Sequence, residues 1–352
     1  MYILLLNPRA GPAEENIKSF PILSVRNAFV LFSNSTTPSI FTIDKGNNNG
    51  RANLGGNTMS NVPLIVDTDW LAERLEDPKL RLLDATTFLQ HPEGGTGYYK
   101  IWSGRETYEE SHIPWAVYAD LFKELSDPSG KHAFTIPSHA YFAEKIGELG
   151  VGDDTYVVVY DQGIGPSHWA SRLWWQLQFE GYNNVAVLEG GFKKWVDEDR
   201  PVTAEPGNYP AAKFKGERRP ELLATVDEVK AAIDDDSKLI VDSLSPADYK
   251  GENNTYGRRG HIPSSINIFV ADHINPETNT LFDEESLKQN LASKGVLDPD
   301  KKIITYCGSG IAATWNALVL NTLGQKDVAI YDGSMTEWAA DPSLPLETGV
   351  PN

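Results

Sequence analysis

The sequence is almost without cysteine. Cys307 is the only one in 352 residues, which excludes an intramolecular disulfide, a multi-cysteine zinc or iron–sulfur site and any Cys-x-x-Cys redox pair. A chain without a disulfide framework suits a reducing compartment, and the expected location is cytoplasmic. Basic residues are also scarce. There are 31 Lys and Arg against 49 Asp and Glu, a formal charge of −18. Nucleic acid and anionic lipid both require clustered Lys and Arg, so neither partner is expected. No apolar run approaches the roughly 18–20 residues of a membrane span. The short apolar start Met1–Leu6 has no preceding basic residues and no small-residue cleavage site, and so reads poorly as a signal peptide.

Regular patterning begins only after Met59. Before it, short apolar patches (Tyr2–Leu6, Ala28–Phe32) are separated by Asn-, Gly- and Ser-rich chain such as Asn47–Gly50 and Gly55–Asn57. Such composition builds no core. Residues 1–58 are therefore expected to be a disordered or non-native extension, with an ordered cap as the alternative and Met59 as the functional start.

From Asn61 onward the chain is duplicated. Ser111-His112-Ile113-Pro114 is answered by Gly260-His261-Ile262-Pro263, and Thr155–Tyr160 by Lys302–Tyr306. Glu189-Gly190-Gly191 through Trp195 is answered by Asp332-Gly333-Ser334 through Trp338. Three matched blocks in one order at nearly constant offset define two copies of one domain, 61–205 and 220–352. The Pro- and Gly-bearing stretch Ala204–Pro220 holds the linker, 206–219. Each copy alternates short apolar strands with helical periods. Thr225 and Glu228 form a capping box, with Val226, Val229 and Ile233 on one helical face. Trp315, Leu318, Val319 and Thr322 recur on another. The expected fold is α/β, each domain a parallel sheet with helices on both faces, and ligands at the carboxyl ends of the strands.

Cys307 stands at such a strand end, between the strand Ile303–Tyr306 and a helix beginning near Ala312. The intervening Gly308-Ser309-Gly310-Ile311 can turn successive backbone N–H groups inward, and the helix N-terminus adds partial positive charge. That cradle suits an anionic sulfur, thiolate or persulfide. A buried structural cysteine is the bland alternative. The first copy is an internal control: Asp161 occupies the matching position in Asp161-Gln162-Gly163-Ile164-Gly165, so only the second copy is a candidate for sulfur chemistry.

Together these blocks resemble the tandem-domain rhodanese family of sulfurtransferases, over roughly Asn61 to Pro345. The stretch from His168 through Trp175 matches as well. The resemblance implies two rhodanese-like domains, the second catalytic, and a persulfide carried on Cys307. The uncharged loop Cys307-Gly308-Ser309-Gly310 is similar to the 3-mercaptopyruvate type, whereas the thiosulfate type commonly has basic residues there. It implies Ser309 beside the sulfur, joined by a His and an Asp of the first domain. His132 matches the His, and Asp120 and Asp127 are both candidates for the Asp. The donor would lie against Gly308, Gly310, Ile311 and Ala312. The family also places arginines before the second His-Ile-Pro block to grip the donor carboxylate. Here Asp248 falls where one is expected, while Arg258 and Arg259 are the candidate anion-binding residues, with Lys250 nearby.

The activity so implied is sulfur transfer from a small-molecule donor, 3-mercaptopyruvate before thiosulfate. The acceptor is cyanide or a thiol, either a small thiol or a thioredoxin-like protein. No metal or organic cofactor is expected. A phosphatase on this kind of domain needs Cys-x5-Arg, and Ala313 stands where that arginine would be. A non-catalytic binding module remains the second alternative.

Overall fold

The computed structural model describes residues 62–90 and 99–349. The expectations for residues 1–58 and for a start at Met59 lie outside these residues. The first copy contains strands β1 (Ile65–Val66), β2 (Leu80–Asp84), β3 (Thr87–Gln90), β4 (Lys100–Ser103), β5 (Val117–Tyr118), β6 (Tyr156–Tyr160) and β7 (Val185–Leu188). The second contains β8 (Leu223–Ala224), β9 (Lys238–Asp242), β10 (Ile266–Asn267), β11 (Ile274–Asn275), β12 (Thr280–Leu281), β13 (Lys302–Tyr306) and β14 (Val328–Tyr331). Each copy holds one five-stranded sheet, β1-β7-β6-β2-β5 in the first and β8-β14-β13-β9-β10 in the second. Every pairing in both is parallel. The two orders correspond strand for strand, so the duplication seen in the motifs is also a duplication of topology. Two antiparallel ribbons, β3–β4 and β11–β12, are additions to the sheets.

The central strands are buried on both faces. Along β6, Tyr156, Val158 and Tyr160 pack in one core with Trp195, while Val157 and Val159 face another with Trp174 and Trp175. This is the two-residue period of a strand covered on both sides. In the second copy Ile304 and Tyr306 face a core with Trp338, and Ile303 faces the other way. The core holding Val157 and Ile303 is shared by both domains. At its centre lie the helices His168–Phe179 and Ala312–Thr322. The sequence suggested one apolar face for the second helix; in fact every residue from Ala313 to Leu320 is buried. The cause is that the helix lies between its own sheet and the first domain, a neighbour that its periodicity does not reveal. Thr225 and Glu228 form the expected capping box.

The linker is laid along the first domain. The Gly207 N–H donates to Ala116 O, and the Ala212 N–H to Gly147 O. Phe214 is buried, and Arg218 pairs with the buried Glu180 carboxylate at 2.7 Å. Among the described residues no helix is long and apolar enough to cross a membrane, and no cluster of three His, Cys, Asp or Glu side chains is arranged to hold a metal ion.

Candidate active site

Cys307 directly follows β13, the central strand of the second sheet, and is 2 % exposed. The loop after it is pinned to the start of the helix Ser334–Trp338. Ser334 Oγ accepts the N–H groups of both Cys307 and Gly310 at 3.1 Å and donates to Tyr331 O at 2.7 Å. The Cys307 carbonyl accepts the Met335 N–H, and the Gly308 carbonyl accepts both the N–H and the hydroxyl of Thr336. With the Thr336 proton committed to that carbonyl, the Ser309 hydroxyl, 3.0 Å away, donates to Thr336 Oγ1. Ser309 and Ala312 are the partly exposed members of the loop; Gly308, Gly310 and Ile311 are buried.

No acceptor among the described residues takes the N–H groups of Gly308, Ser309, Ile311, Ala312 or Ala313. Five N–H groups without an acceptor beside a strand-end cysteine, two of them in the first turn of the helix Ala312–Thr322, make this loop a candidate anion site. The first copy shows how such a loop behaves when it carries its own anion. There the Asp161 carboxylate accepts the N–H groups of Gly163, Trp169 and Ala170 at 3.0, 3.2 and 3.1 Å. Burial pushes this carboxyl up to about 6, against the pull of those N–H groups. Cys307 occupies the corresponding place in the second copy, with the N–H groups left open.

Beneath the loop lies a residue of the other domain. Arg172 is 1 % exposed. Its Nη1 donates to Gly310 O at 2.9 Å and to Asp332 Oδ1 at 2.6 Å, and its Nη2 to Phe134 O at 2.7 Å. Gly310 needs to be glycine: its φ is +69°, and a Cβ would lie 2.8 Å from Asp332 O and 3.0 Å from Arg172 Nη1. Ser171 Oγ, 2.9 Å from Thr314 Oγ1, adds a second tie across the domains.

The remaining sequence-derived residues fall in different places. His132 is partly buried and its carbonyl receives the Thr135 N–H and hydroxyl, but its ring has no hydrogen bond to the Cys307 loop. It lies two residues before Phe134, whose carbonyl Arg172 links to Gly310. Asp120 is buried and caps its own turn, accepting from Ser103 Oγ and the N–H groups of Phe122 and Lys123. Asp127 does the same for Ser129 in an exposed turn. Arg258 donates to the carbonyls of Asp341 and Leu344, and Arg259 to those of Gly251 and Glu252, so neither guanidinium is hydrogen-bonded to the loop. Asp248 accepts from Ser245, Asn253 and Thr255 and orders the segment that leads to Tyr256. Lys250 is exposed.

Four residues near the loop were not singled out by sequence: Ser334, Arg172, Tyr256 and Tyr99. The duplication carried a signal for the first. Ser334 matches Gly191, and both have left-handed backbone, φ +48° and +56°. A serine where the other copy has glycine accepts backbone strain for the sake of its hydroxyl. By contrast, features common to both copies belong to the fold. His112 stacks on Tyr108 and His261 on Tyr249, with ring centroids 3.9 and 3.7 Å apart. Each histidine Nδ1 also bonds the carbonyl of its stacking tyrosine, at 2.6 and 2.7 Å.

The model of the rhodanese-like domain matches residues 67–198 and 225–341. Mouse thiosulfate sulfurtransferase is 35 % identical over 282 residues, covering 78 % of this chain and 91 % of the relative. Human 3-mercaptopyruvate sulfurtransferase is 32 % identical over 281 residues with the same coverage. The crystal structure of SseA, a 3-mercaptopyruvate sulfotransferase of Escherichia coli, superposes with a TM-score of 0.66 at 30 % identity, covering 78 % of this chain and 99 % of that one. The chain belongs to the rhodanese family, as a sulfurtransferase of two rhodanese-like domains in tandem.

Proposed function

We propose that the protein moves sulfane sulfur from a small anionic donor, with 3-mercaptopyruvate favoured, through a persulfide on Cys307 to a thiol or cyanide acceptor. The observation that carries this reading is the set of N–H groups without an acceptor in the loop after a strand-end cysteine, a loop whose counterpart binds the Asp161 carboxylate. In the first half-reaction the Cys307 thiolate attacks the donor sulfur. The donor's C–S bond breaks, its thiol proton passes to the carbon released, and pyruvate leaves behind a Cys307–S–S⁻ anion. In the second, the acceptor attacks the outer sulfur, the S–S bond breaks and the thiolate returns. The loop N–H groups hold negative charge on sulfur in both halves. The chain has no second cysteine to resolve the persulfide. An external acceptor must therefore take the sulfur: cyanide, a small thiol or a thioredoxin-like protein, in a reducing, cytoplasmic setting.

Thiosulfate is the second reading, supported by relatives such as the bovine thiosulfate sulfurtransferase at 36 % identity; sulfite would then leave in place of pyruvate. The uncharged loop favours 3-mercaptopyruvate. Steady-state kinetics with both donors test the choice: a preference of about tenfold or more for thiosulfate overturns it. Cys307→Ser should abolish turnover with either donor, and residual transfer by that variant overturns the persulfide assignment.

A further inference from the structure

Hydroxyl groups gather against the Cys307 loop. Tyr256 leans over the loop so closely that a Cβ on residue 308 would run into its Oη, which accounts for the glycine there. Tyr99 reaches it from the first domain: the two phenol oxygens are 3.3 Å apart and the ring centroids 6.2 Å. Ser309 and Thr336 add two more hydroxyls, whose protons go to Thr336 Oγ1 and the Gly308 carbonyl, which leaves Tyr256 as the hydroxyl for a donor. Behind the tyrosines stands Asp248, whose carboxylate is held by Ser245, Asn253 and Thr255 and has no ion-pair partner among the described residues. Among the described residues no Lys or Arg side chain is hydrogen-bonded to Tyr256, Asp248, Ser309 or Thr336. The cation closest to the loop, Arg172, lies beneath it and is already paired with Asp332.

This arrangement differs in kind from a cationic grip. Neutral O–H groups donate to an anion without the long-range attraction of a full charge, and a nearby carboxylate repels a dianion twice as strongly as a monoanion at the same distance. Both phenols remain donors at neutral pH. Burial above all, then the neighbouring Tyr99, Cys307 and Asp248, pushes Tyr256 well above its ordinary value. Burial likewise pushes Tyr99 up to about 12.

We propose that Tyr256, braced by Tyr99 across the domain boundary, is a specificity-determining residue: its O–H holds an oxygen of a monoanionic sulfur donor at the mouth of the Cys307 loop, while Asp248 turns dianionic donors away. The proposal rests on the reading of Cys307 as the sulfur carrier. It also gives the first domain, which lacks the cysteine, a part in choosing the donor.

The test uses the full chain as wild type, Tyr256→Phe, Tyr99→Phe and Asp248→Asn. The kcat/KM is measured for 3-mercaptopyruvate and for thiosulfate with saturating cyanide, and stoichiometric labelling of Cys307 by iodoacetamide reports an intact loop. Tyr256→Phe should lose about tenfold in kcat/KM for 3-mercaptopyruvate, mostly through KM, while labelling stays within about twofold of wild type. Tyr99→Phe should shift the same way by about threefold. Asp248→Asn should raise kcat/KM for thiosulfate at least about threefold more than for 3-mercaptopyruvate. Three results overturn the proposal: a Tyr256→Phe enzyme within about twofold of wild type; a matched loss of labelling and of turnover with both donors, which makes Tyr256 structural; or an equal effect of Asp248→Asn on both donors. Wild-type protein that labels at Cys307 but turns over neither donor overturns the sulfurtransferase reading itself, and this proposal with it.

Discussion

The Arg172 guanidinium, carried on a helix of the first domain, donates to the carbonyl of Gly310 in the Cys307 loop of the second. The same group holds Asp332 and the Phe134 carbonyl, so one buried side chain fixes three segments. Phe134 has a left-handed backbone, φ +65°, and packs between Phe122 and Trp169. The loop that carries His132 therefore shares a fastening with the loop that carries Cys307.

Arg172→Lys should lower kcat/KM about tenfold or more, and Arg172→Ala should in addition cost on the order of 3–5 kcal/mol of stability. The ammonium of lysine cannot reach three acceptors with the planar fork of a guanidinium. Alanine leaves the half-buried Asp332 and two carbonyls without their donor. Urea denaturation and the rate of Cys307 labelling by iodoacetamide distinguish the two effects. Arg172→Lys with unchanged labelling and unchanged kcat/KM would show that the loop holds its shape without the clamp.

Ser334 offers a second test, in which activity and stability should separate. Its φ of +48° is unfavourable for any side chain, yet its Oγ is the shared acceptor for the Cys307 and Gly310 N–H groups. Ser334→Gly relieves the backbone and removes the acceptor. It should fold with stability within about 1 kcal/mol of wild type while losing about tenfold or more in kcat/KM. Ser334→Ala keeps the strain and should lose both, with a further destabilisation of about 1–2 kcal/mol. Equal activity of Ser334→Gly and wild type, measured with either donor, would remove Ser334 from the loop's support.

The architecture was largely legible in the sequence, because the signals for it are local and occur twice. The runs ending in Tyr160 and Tyr306, the His-Ile-Pro blocks and the capping box at Thr225 each report on their own neighbourhood. The strand-end place of Cys307 was legible for the same reason: it follows an apolar run and precedes glycines, and the first copy supplies Asp161 for contrast. What could not be read was anything that depends on the two domains meeting. Arg172 reaches Gly310 across 138 positions and Tyr99 reaches Tyr256 across 157. No periodicity or spacing records such a pairing. Arg258 and Arg259 were favoured because they sit beside a matched block, but sequence adjacency does not fix where a long side chain points. Both turn to backbone carbonyls.

The duplicated acids Asp242 and Asp84 make a pH-dependent prediction. Each ends a strand of its parallel sheet, fully buried, with one carboxyl oxygen accepting a nearby N–H and the other without a hydrogen bond of ordinary length among the described residues. Burial pushes Asp242 up to about 7, only partly offset by the Tyr306 hydroxyl and the Leu244 N–H, and Asp84 up to about 6, only partly offset by the Thr86 hydroxyl and N–H and the Tyr160 hydroxyl. A carboxyl raised in the folded state binds its proton more tightly there than in the unfolded chain. Its contribution to stability is therefore complete below the ordinary value near 3.8 and is lost as pH rises through the folded value. For Asp242 the loss falls between about pH 4 and 7 and is on the order of 4 kcal/mol. Buried histidines run the other way: His273 is held down to about 4 by burial and favours folding as pH rises through the ordinary histidine range. The informative quantity is thus the difference between variant and wild type, in which the histidines cancel. Asp242→Asn cannot ionise, so its stability relative to wild type should improve by about 2–3 kcal/mol between pH 5 and pH 8. Asp84→Asn should show a smaller improvement, completed about one pH unit lower. Urea denaturation at pH 5, 6, 7 and 8 measures both, and variant and wild-type profiles that run parallel would mean that neither carboxyl is held protonated by the fold.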